Sequence, residues 1–384
     1  MNKKILWSAY FGILIFGMAM LSLGTVNNYL TLDQKLSQLT IASLATLLPV
    51  GILLGSMVFG PVVDRFGYKI VLAICTGLIA VSFVTISLTA KLFWLQLSFF
   101  LIGFGGGAIN GGTSALVADI SETAKGAGLS LLGVFYGLGA LGMPLLNGLL
   151  SKQLSNQQIL LFFAVLSFLP VIYFLCIRFP EPKHKQGFPI TQGLKLFRDP
   201  MILLIGFFLF FESGIEGITN NWTTTFLRDG AGISPEKALY ALSMMVLALT
   251  ITRLILGSLL KKIPAWKILF LSLGFILAGS LALAFFPSLL GAFIGLGLLG
   301  IGFAAGFPTM LGYVGEFYAG FSGTAFSVVL FIALIGNTII NYLVGLFANS
   351  GNIRAFPWVI ALSTVAMASL LLMTTKSMKS KIKE

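Results

Sequence analysis

About twelve runs of roughly twenty or more apolar residues follow one another along this chain, and no other feature constrains its fold so tightly. They fall at about 5–30, 39–63, 70–89, 93–118, 127–150, 156–178, 201–227, 238–259, 266–286, 288–315, 323–347 and 355–375. A backbone inside hydrocarbon must satisfy its amides internally, and a helix rising about 1.5 Å per residue needs about 20 residues to cross the ~30 Å core. Each run suffices for one crossing. Only 9% of the 384 residues are charged and 35 are Phe, whereas soluble domains carry about a quarter charged residues. The chain reads as an all-α membrane protein of about twelve transmembrane helices.

The connections between runs are short except for one. The stretch Pro180 to Pro200, PEPKHKQGFPITQGLKLFRDP, is basic, polar and broken by Pro and Gly, so it reads as a linker between an N-terminal bundle (1–179) and a C-terminal bundle with a short basic tail (201–384). With the N-terminus inside, seventeen of the 24 Lys and Arg residues fall in inner segments, six in outer loops, and Arg253 lies within a run. Short loops rich in Lys and Arg stay cytoplasmic, so both termini are expected there, in the plasma membrane (the inner membrane of a bacterium). The net charge of +12 is then a topology signal and a contact for anionic lipid rather than a nucleic-acid surface. The first run is too long for a signal peptide and lacks a convincing cleavage site. Cys75 and Cys176 lie inside apolar runs and read as packing residues.

An internal repeat supports two related halves. Ile102-Gly103-Phe104-Gly105-Gly106-Gly107 recurs as Ile301-Gly302-Phe303-Ala304-Ala305-Gly306, and Gly60 answers Gly257 at nearly the same offset. Small residues at such spacing let helices approach closely, and in duplicated carriers the substrate site sits near the midplane between the halves.

The loop between the second and third runs reads Gly60-Pro61-Val62-Val63-Asp64-Arg65-Phe66-Gly67-Tyr68-Lys69. Asp64 falls at the expected start of the third helix, where a carboxylate suits the positive dipole end, and Gly67 permits a tight turn. This segment resembles the signature loop of the major facilitator superfamily: Gly, three residues, Asp, Arg or Lys, one residue, Gly, one residue, Arg or Lys. The resemblance implies a major facilitator fold of two six-helix pseudo-symmetric bundles. It also implies a cytoplasmic gate built on Gly60, Asp64, Arg65, Gly67 and Lys69, with Arg65 paired to Asp119 or Glu122 at the inner end of helix four. The loop after the eighth run departs from the pattern, with Lys261 where a second Asp would fall.

Within the seventh run, Phe211-Glu212-Ser213-Gly214-Ile215-Glu216-Gly217-Ile218-Thr219-Asn220-Asn221-Trp222 resembles the sugar/proton symporter branch that includes fucose and glucose/galactose carriers. Gly214, Glu216 and Trp222 fit, while Glu212 stands where that branch often has an aromatic residue. Gly103, Gly105, Gly107 and Asn110, Tyr136 to Ala140 with Pro144, and Gly306-Phe307-Pro308-Thr309 resemble the same branch.

The chemistry also stands on the residues alone. Glu212 and Glu216 are four apart, on one helix face near the expected midplane, and a charged, unpaired carboxylate there costs several kcal/mol. Desolvation and mutual repulsion favour binding a proton, so Glu216 is expected to be the proton-coupling residue with Glu212 beside it. The plainer alternative is structural pairing with Arg253 or with Asn side chains. Asn27, Asn28, Asn110, Asn337 and Asn341 offer amide donors and acceptors for hydroxyl groups, and Trp222 offers a face for a sugar ring or, alternatively, an interfacial anchor. Arg253 is expected to snorkel toward the inner surface, and Glu316 to pair with nearby basic loops.

No Gly-rich nucleotide-binding loop followed by Lys is present, and the single His, His184, lies in the linker. ATP hydrolysis, a metal centre and a cofactor are therefore not expected, and neither is enzyme activity. The reading is a monomeric secondary transporter working by alternating access, a proton-coupled symporter of a monosaccharide or related hydroxylated solute. Proton-driven efflux of amphipathic compounds is the alternative, and a non-transporting membrane sensor or lipid-handling protein the third.

Overall fold

The computed structural model describes residues 3–23, 30, 34, 36, 38–121, 125–183 and 195–381. Helices account for nearly all of them: α1 Lys3–Met20, α2 Gln38–Phe66, α3 Tyr68–Leu88, α4 Leu92–Ile120, α5 Lys125–Leu150, α6 Asn156–Cys176, α7 Pro200–Thr225, α8 Pro235–Leu259, α9 Ala265–Phe285, α10 Leu289–Phe303, α11 Gly306–Phe317, α12 Ser322–Asn349 and α13 Phe356–Lys381. Twelve helical segments among the described residues are long and apolar enough to cross a membrane, with α10 and α11 forming one of them, Leu289–Phe317. The tenth apolar run is therefore two helices. Pro308 has no N–H to give the carbonyl of Ala304 and its ring crowds that carbonyl; α10 stops at Phe303 and α11 restarts at Gly306.

Two compact units result. The first comprises Met1–Glu122, Leu132–Gly193 and Tyr318–Ser327, the second Thr123–Leu131, Leu194–Phe317 and Val328–Glu384. Of the segment 180–200, residues 184–194, with His184, lie outside the described residues.

Helices dissolved in lipid gain little by hiding apolar surface from one another, so their packing rests on close van der Waals contact and a few polar bonds. Glycine permits that closeness in both units. In the first, a Cβ on Gly51 or Gly55 of α2 would strike the backbone of Phe100 or Phe104, and one on Gly103 or Gly107 of α4 would strike that of Leu48 or Ile52. In the second, Gly206 and Gly214 of α7 lie against Ile332 and Ile340 of α12, and Gly336 of α12 against the Phe210 carbonyl. The opposite faces carry large apolar side chains: Leu138, Leu141, Leu145 and Leu149 recur at helical spacing along α5, each more than half exposed. In water such a stripe would invite association, whereas within a membrane hydrocarbon can cover it at no such cost.

The motif Tyr136 to Ala140 divides by the same logic. Gly139 packs on the Leu14 backbone, whereas nothing lies within 4 Å of a Cβ on Gly137. Gly139→Ala should cost about 1–3 kcal/mol by forcing α1 and α5 apart. Gly137→Ala should be neutral or stabilising by up to about 1 kcal/mol, from helix propensity alone. Thermal unfolding of the purified variants distinguishes the two, and equal effects would refute the close crossing.

Candidate functional site

Two polar constellations stand out, one in each unit. That of the first unit lies where α2 and α4 end and α3 begins, with Asp64, Asp119 and Tyr68 at those three termini. Asp64 is not at the start of α3. It sits in the last turn of α2, and α3 begins after Gly67, whose φ of 84° and ψ of 165° belong to a region essentially reserved for glycine. From there the buried Asp64 carboxylate caps a different helix, α12, accepting the Gly323 amide (3.2 Å), the Thr324 amide (2.9 Å) and the Thr324 hydroxyl (2.7 Å). A carboxylate at a helix N-terminus satisfies orphan amides and meets the positive end of the dipole. Gly60, one turn earlier, lets α2 lie against the Gly323 carbonyl.

Arg65 does not pair with Asp119. It is exposed and lies over the Phe66 ring, 5.1 Å from its centroid, because the last turn of α2 turns it outward while turning Asp64 inward. Lys69 is half-buried and makes no ion pair among the described residues. Asp119 is held instead by Lys183 (2.8 Å) and by the Tyr68 hydroxyl (2.5 Å). The Lys183 ammonium also donates to the Ala319 carbonyl (2.6 Å) and to the Ser322 hydroxyl. Glu122 lies outside the described residues, as do Asn27 and Asn28. Sequence reading missed Lys183, Tyr68, Ser322 and Thr324. Tyr68 lay inside the quoted motif at one of its unspecified positions; the other three carry no local signal.

In the second unit, Glu212 and Glu216 share one face of α7. Glu212 is fully buried, and neither carboxylate oxygen makes a hydrogen bond within ordinary limits among the described residues. Its carboxylate lies where a Cβ on Gly306 would have to be, and the Phe307 amide and the Arg253 guanidinium act on it electrostatically. Gly306 is the first residue of α11, so the start of a half-helix, the positive end of its dipole, faces the acid. Glu216 is partly exposed, and its charge also interacts with Arg253. Arg253 does not snorkel out. It is buried with its Nε unpartnered among the described residues, and its carbonyl accepts the Ser130 hydroxyl (2.7 Å).

A ladder of amides runs beyond Glu216. Asn221 donates to the Asn341 side-chain oxygen (2.9 Å), Asn341 to the Asn337 carbonyl (2.9 Å) and side-chain oxygen (3.1 Å), and Asn337 to the Ser213 carbonyl (2.8 Å). Gly217 leaves room for both α12 amides. Asn337 and Asn341 thus tie α12 to α7 and retain little unused hydrogen-bonding capacity. Trp222 is partly exposed, its ring against Gly345. In the first unit Asn110 is half-buried midway along α4, and its side-chain amide has no partner among the described residues.

Comparison with known proteins settles the family. The model of the Major Facilitator Superfamily matches residues 9–332 of this chain. The chain belongs to that superfamily. It is a multi-pass membrane transporter. Among curated proteins, the superfamily member is similar to the glucose/mannose transporter GlcP of Bacillus subtilis, 22% identical over 320 residues, covering 79% of this chain and 78% of the relative. Among solved structures it resembles the E. coli fucose:proton symporter FucP (TM-score 0.77, 16% identity, 97% of this chain and 99% of that one). It also resembles the proton:xylose symporter XylE (TM-score 0.76, 15% identity, 97% and 95%). At those identities the likeness is one of fold.

The Asp64 cap gives a direct test. Asp64→Ala leaves two amides and a hydroxyl without their acceptor and should destabilise by roughly 2–4 kcal/mol. Amide hydrogen exchange at Gly323 and Thr324 should quicken. Lys183→Met should have a smaller effect, about 1 kcal/mol, because its ion pair is partly solvated. Unchanged exchange at Gly323 and Thr324 in Asp64→Ala would show that the cap is not formed in solution.

Proposed function

We propose that this superfamily member is a proton-coupled symporter of a monosaccharide or a related small hydroxylated solute, working by alternating access with Glu216 as its coupling residue. One observation carries the reading: Glu212 and Glu216 share one face of α7, and the Arg253 guanidinium is the one cation among the described residues that acts on both. If both acids are ionised the trio carries one net negative charge, and one bound proton makes it neutral. Burying an uncompensated charge in a closed, water-poor state is costly, so closure around the trio favours the protonated form. Glu212 has no access to water and is already compensated by the start of α11. Glu216, partly exposed, is the acid that can exchange its proton with solvent.

Three further facts support the solute class. FucP and XylE, whose fold this chain shares, are by name symporters of protons with sugars, and GlcP is by name a glucose/mannose transporter. Asn110 offers an uncommitted amide, which can donate to and accept from a hydroxyl. Trp222 keeps part of its ring exposed beyond Glu216. In this proposal the protein works as a monomer, with Asp64, Gly60, Gly67, Asp119 and Lys183 on the cytoplasmic side, where both termini lie.

Proteoliposomes with a pH-sensitive dye inside provide the test. Adding the transported sugar outside should acidify the lumen. Glu216→Gln, which mimics the neutral acid, should abolish that acidification while preserving exchange of labelled for unlabelled sugar. Proton movement driven by lipophilic cations, with no response to any sugar, would replace symport by efflux of amphipathic compounds. Loss of exchange together with acidification would make Glu216 a substrate ligand rather than a coupling residue.

A further inference from the structure

A cavity of about 490 Å³, whose lining includes neither Glu212 nor Glu216, opens in the second unit where α8 turns into α9. Its polar lining is Lys125, Lys261, Thr309, Tyr313 and Glu316. We propose that it is a binding site for a phosphate ester bearing neighbouring hydroxyl groups. The inference does not depend on the symport reading.

Among the described residues the charges in the cavity are gathered but not paired. Glu316, expected from sequence to pair with basic loops, is within 4 Å of no cation among the described residues, and Lys261 is exposed and likewise unpaired. Lys125 donates to the Gly315 carbonyl (2.7 Å), a bond that aims its ammonium along the wall without cancelling its charge and leaves two N–H groups to donate. Two helices also start at this wall. α5 begins at Lys125, and α9 begins at Ala265 with no side-chain cap, so the first two amides of α9 are further donors for an anion.

Thr309 supplies the independent sign of a ligand. It is 2% exposed, and its hydroxyl has no partner among the described residues. Thr113, Thr219, Thr364 and Thr374 return their hydroxyls to the carbonyl four residues earlier; Thr76 and Thr223 share the unpartnered state of Thr309, but of the three only Thr309 lines this cavity. A buried hydroxyl left unmade costs about 1–3 kcal/mol, and the cavity it lines is large enough for a small ligand.

The lining also selects among anions. Two ammonium groups suit a phosphate, which accepts charge-assisted hydrogen bonds from both. An ionised Glu316 accepts hydrogen bonds only, so it disfavours bare phosphate and favours an ester whose hydroxyls it can receive. Thr309 and Tyr313 serve those hydroxyls or the phosphate oxygens. The same chemistry exists in a soluble sugar or glycerol phosphate and in the headgroup of phosphatidylglycerol.

Binding is measured on the full-length protein in phosphatidylcholine nanodiscs, titrated with glycerol 3-phosphate, glucose 6-phosphate or inorganic phosphate, and in discs in which phosphatidylglycerol replaces part of the lipid. We expect saturable stabilisation by a soluble ester or by phosphatidylglycerol, weakened about tenfold in Lys261→Gln and in Thr309→Val. Response to the soluble esters alone identifies a metabolite site, and response to phosphatidylglycerol alone identifies a lipid site. Without ligand, Thr309→Val should melt no lower than wild type, because the lost hydroxyl had no partner. No response to any probe, a response unchanged in both variants, or inorganic phosphate binding as tightly as the esters would overturn the proposal.

Discussion

Hydrocarbon offers the backbone nothing to hydrogen-bond to, and most of this structure follows from that lack. It requires long uninterrupted helices, and it removes the force that would otherwise press their apolar faces together. Contact must then come from shape. Gly51 and Gly55 on α2 face Phe100 and Phe104, while Gly103 and Gly107 on α4 face Leu48 and Ile52, so each helix presents a groove of glycines to the other's backbone. Apolar bulk is placed instead on exposed faces, as along Leu138, Leu141, Leu145 and Leu149 of α5, where hydrocarbon tolerates it.

The same lack makes every departure from regular helix informative. The break between α10 and α11 comes four residues before Pro308, which has no N–H for the carbonyl of Ala304, and α11 then starts with the amides of Gly306 and Phe307. Out of water those amides need a compensating group, and the Glu212 carboxylate is the one placed against them through the space Gly306 leaves. Pro308, Gly306 and Glu212 are thus one device, in which a helix that cannot continue and an acid that cannot be solvated stabilise each other. Asp64 at the start of α12 repeats that chemistry in the other unit.

How much of this the sequence discloses depends on range. Spans are legible because they are local: twenty apolar residues in a row need no partner to be recognised. The Gly60 to Lys69 loop is legible as a pattern, yet the helix it serves is not. Asp64 caps a turn some 260 positions further on, and a motif read as a segment assigns it to its own neighbour, α3. Arg65 and Asp119 failed as a pair for a related reason. Charge complementarity says who can pair, but the turn of α2 that buries Asp64 exposes Arg65, and a lysine from the linker took the vacant acid. Asn337 and Asn341 have the chemistry of a sugar site and the sequence cannot show that they hydrogen-bond to one another and to α7.

On the proposed symport, two acids in the second unit serve better than one. A lone carboxylate opposite Arg253 would be a neutral ion pair, and protonating it would leave a buried guanidinium without a counter-charge. With Glu212 present, protonation of Glu216 leaves one acid to balance one guanidinium, and the neutral trio is the protonated one. Loss of that proton then creates a net charge, which favours whatever state gives Glu216 access to water. On the proposed symport, Glu212, the residue that departs from the aromatic expected at its position, is what lets a proton, rather than a fixed ion pair, set the balance between closed and open states.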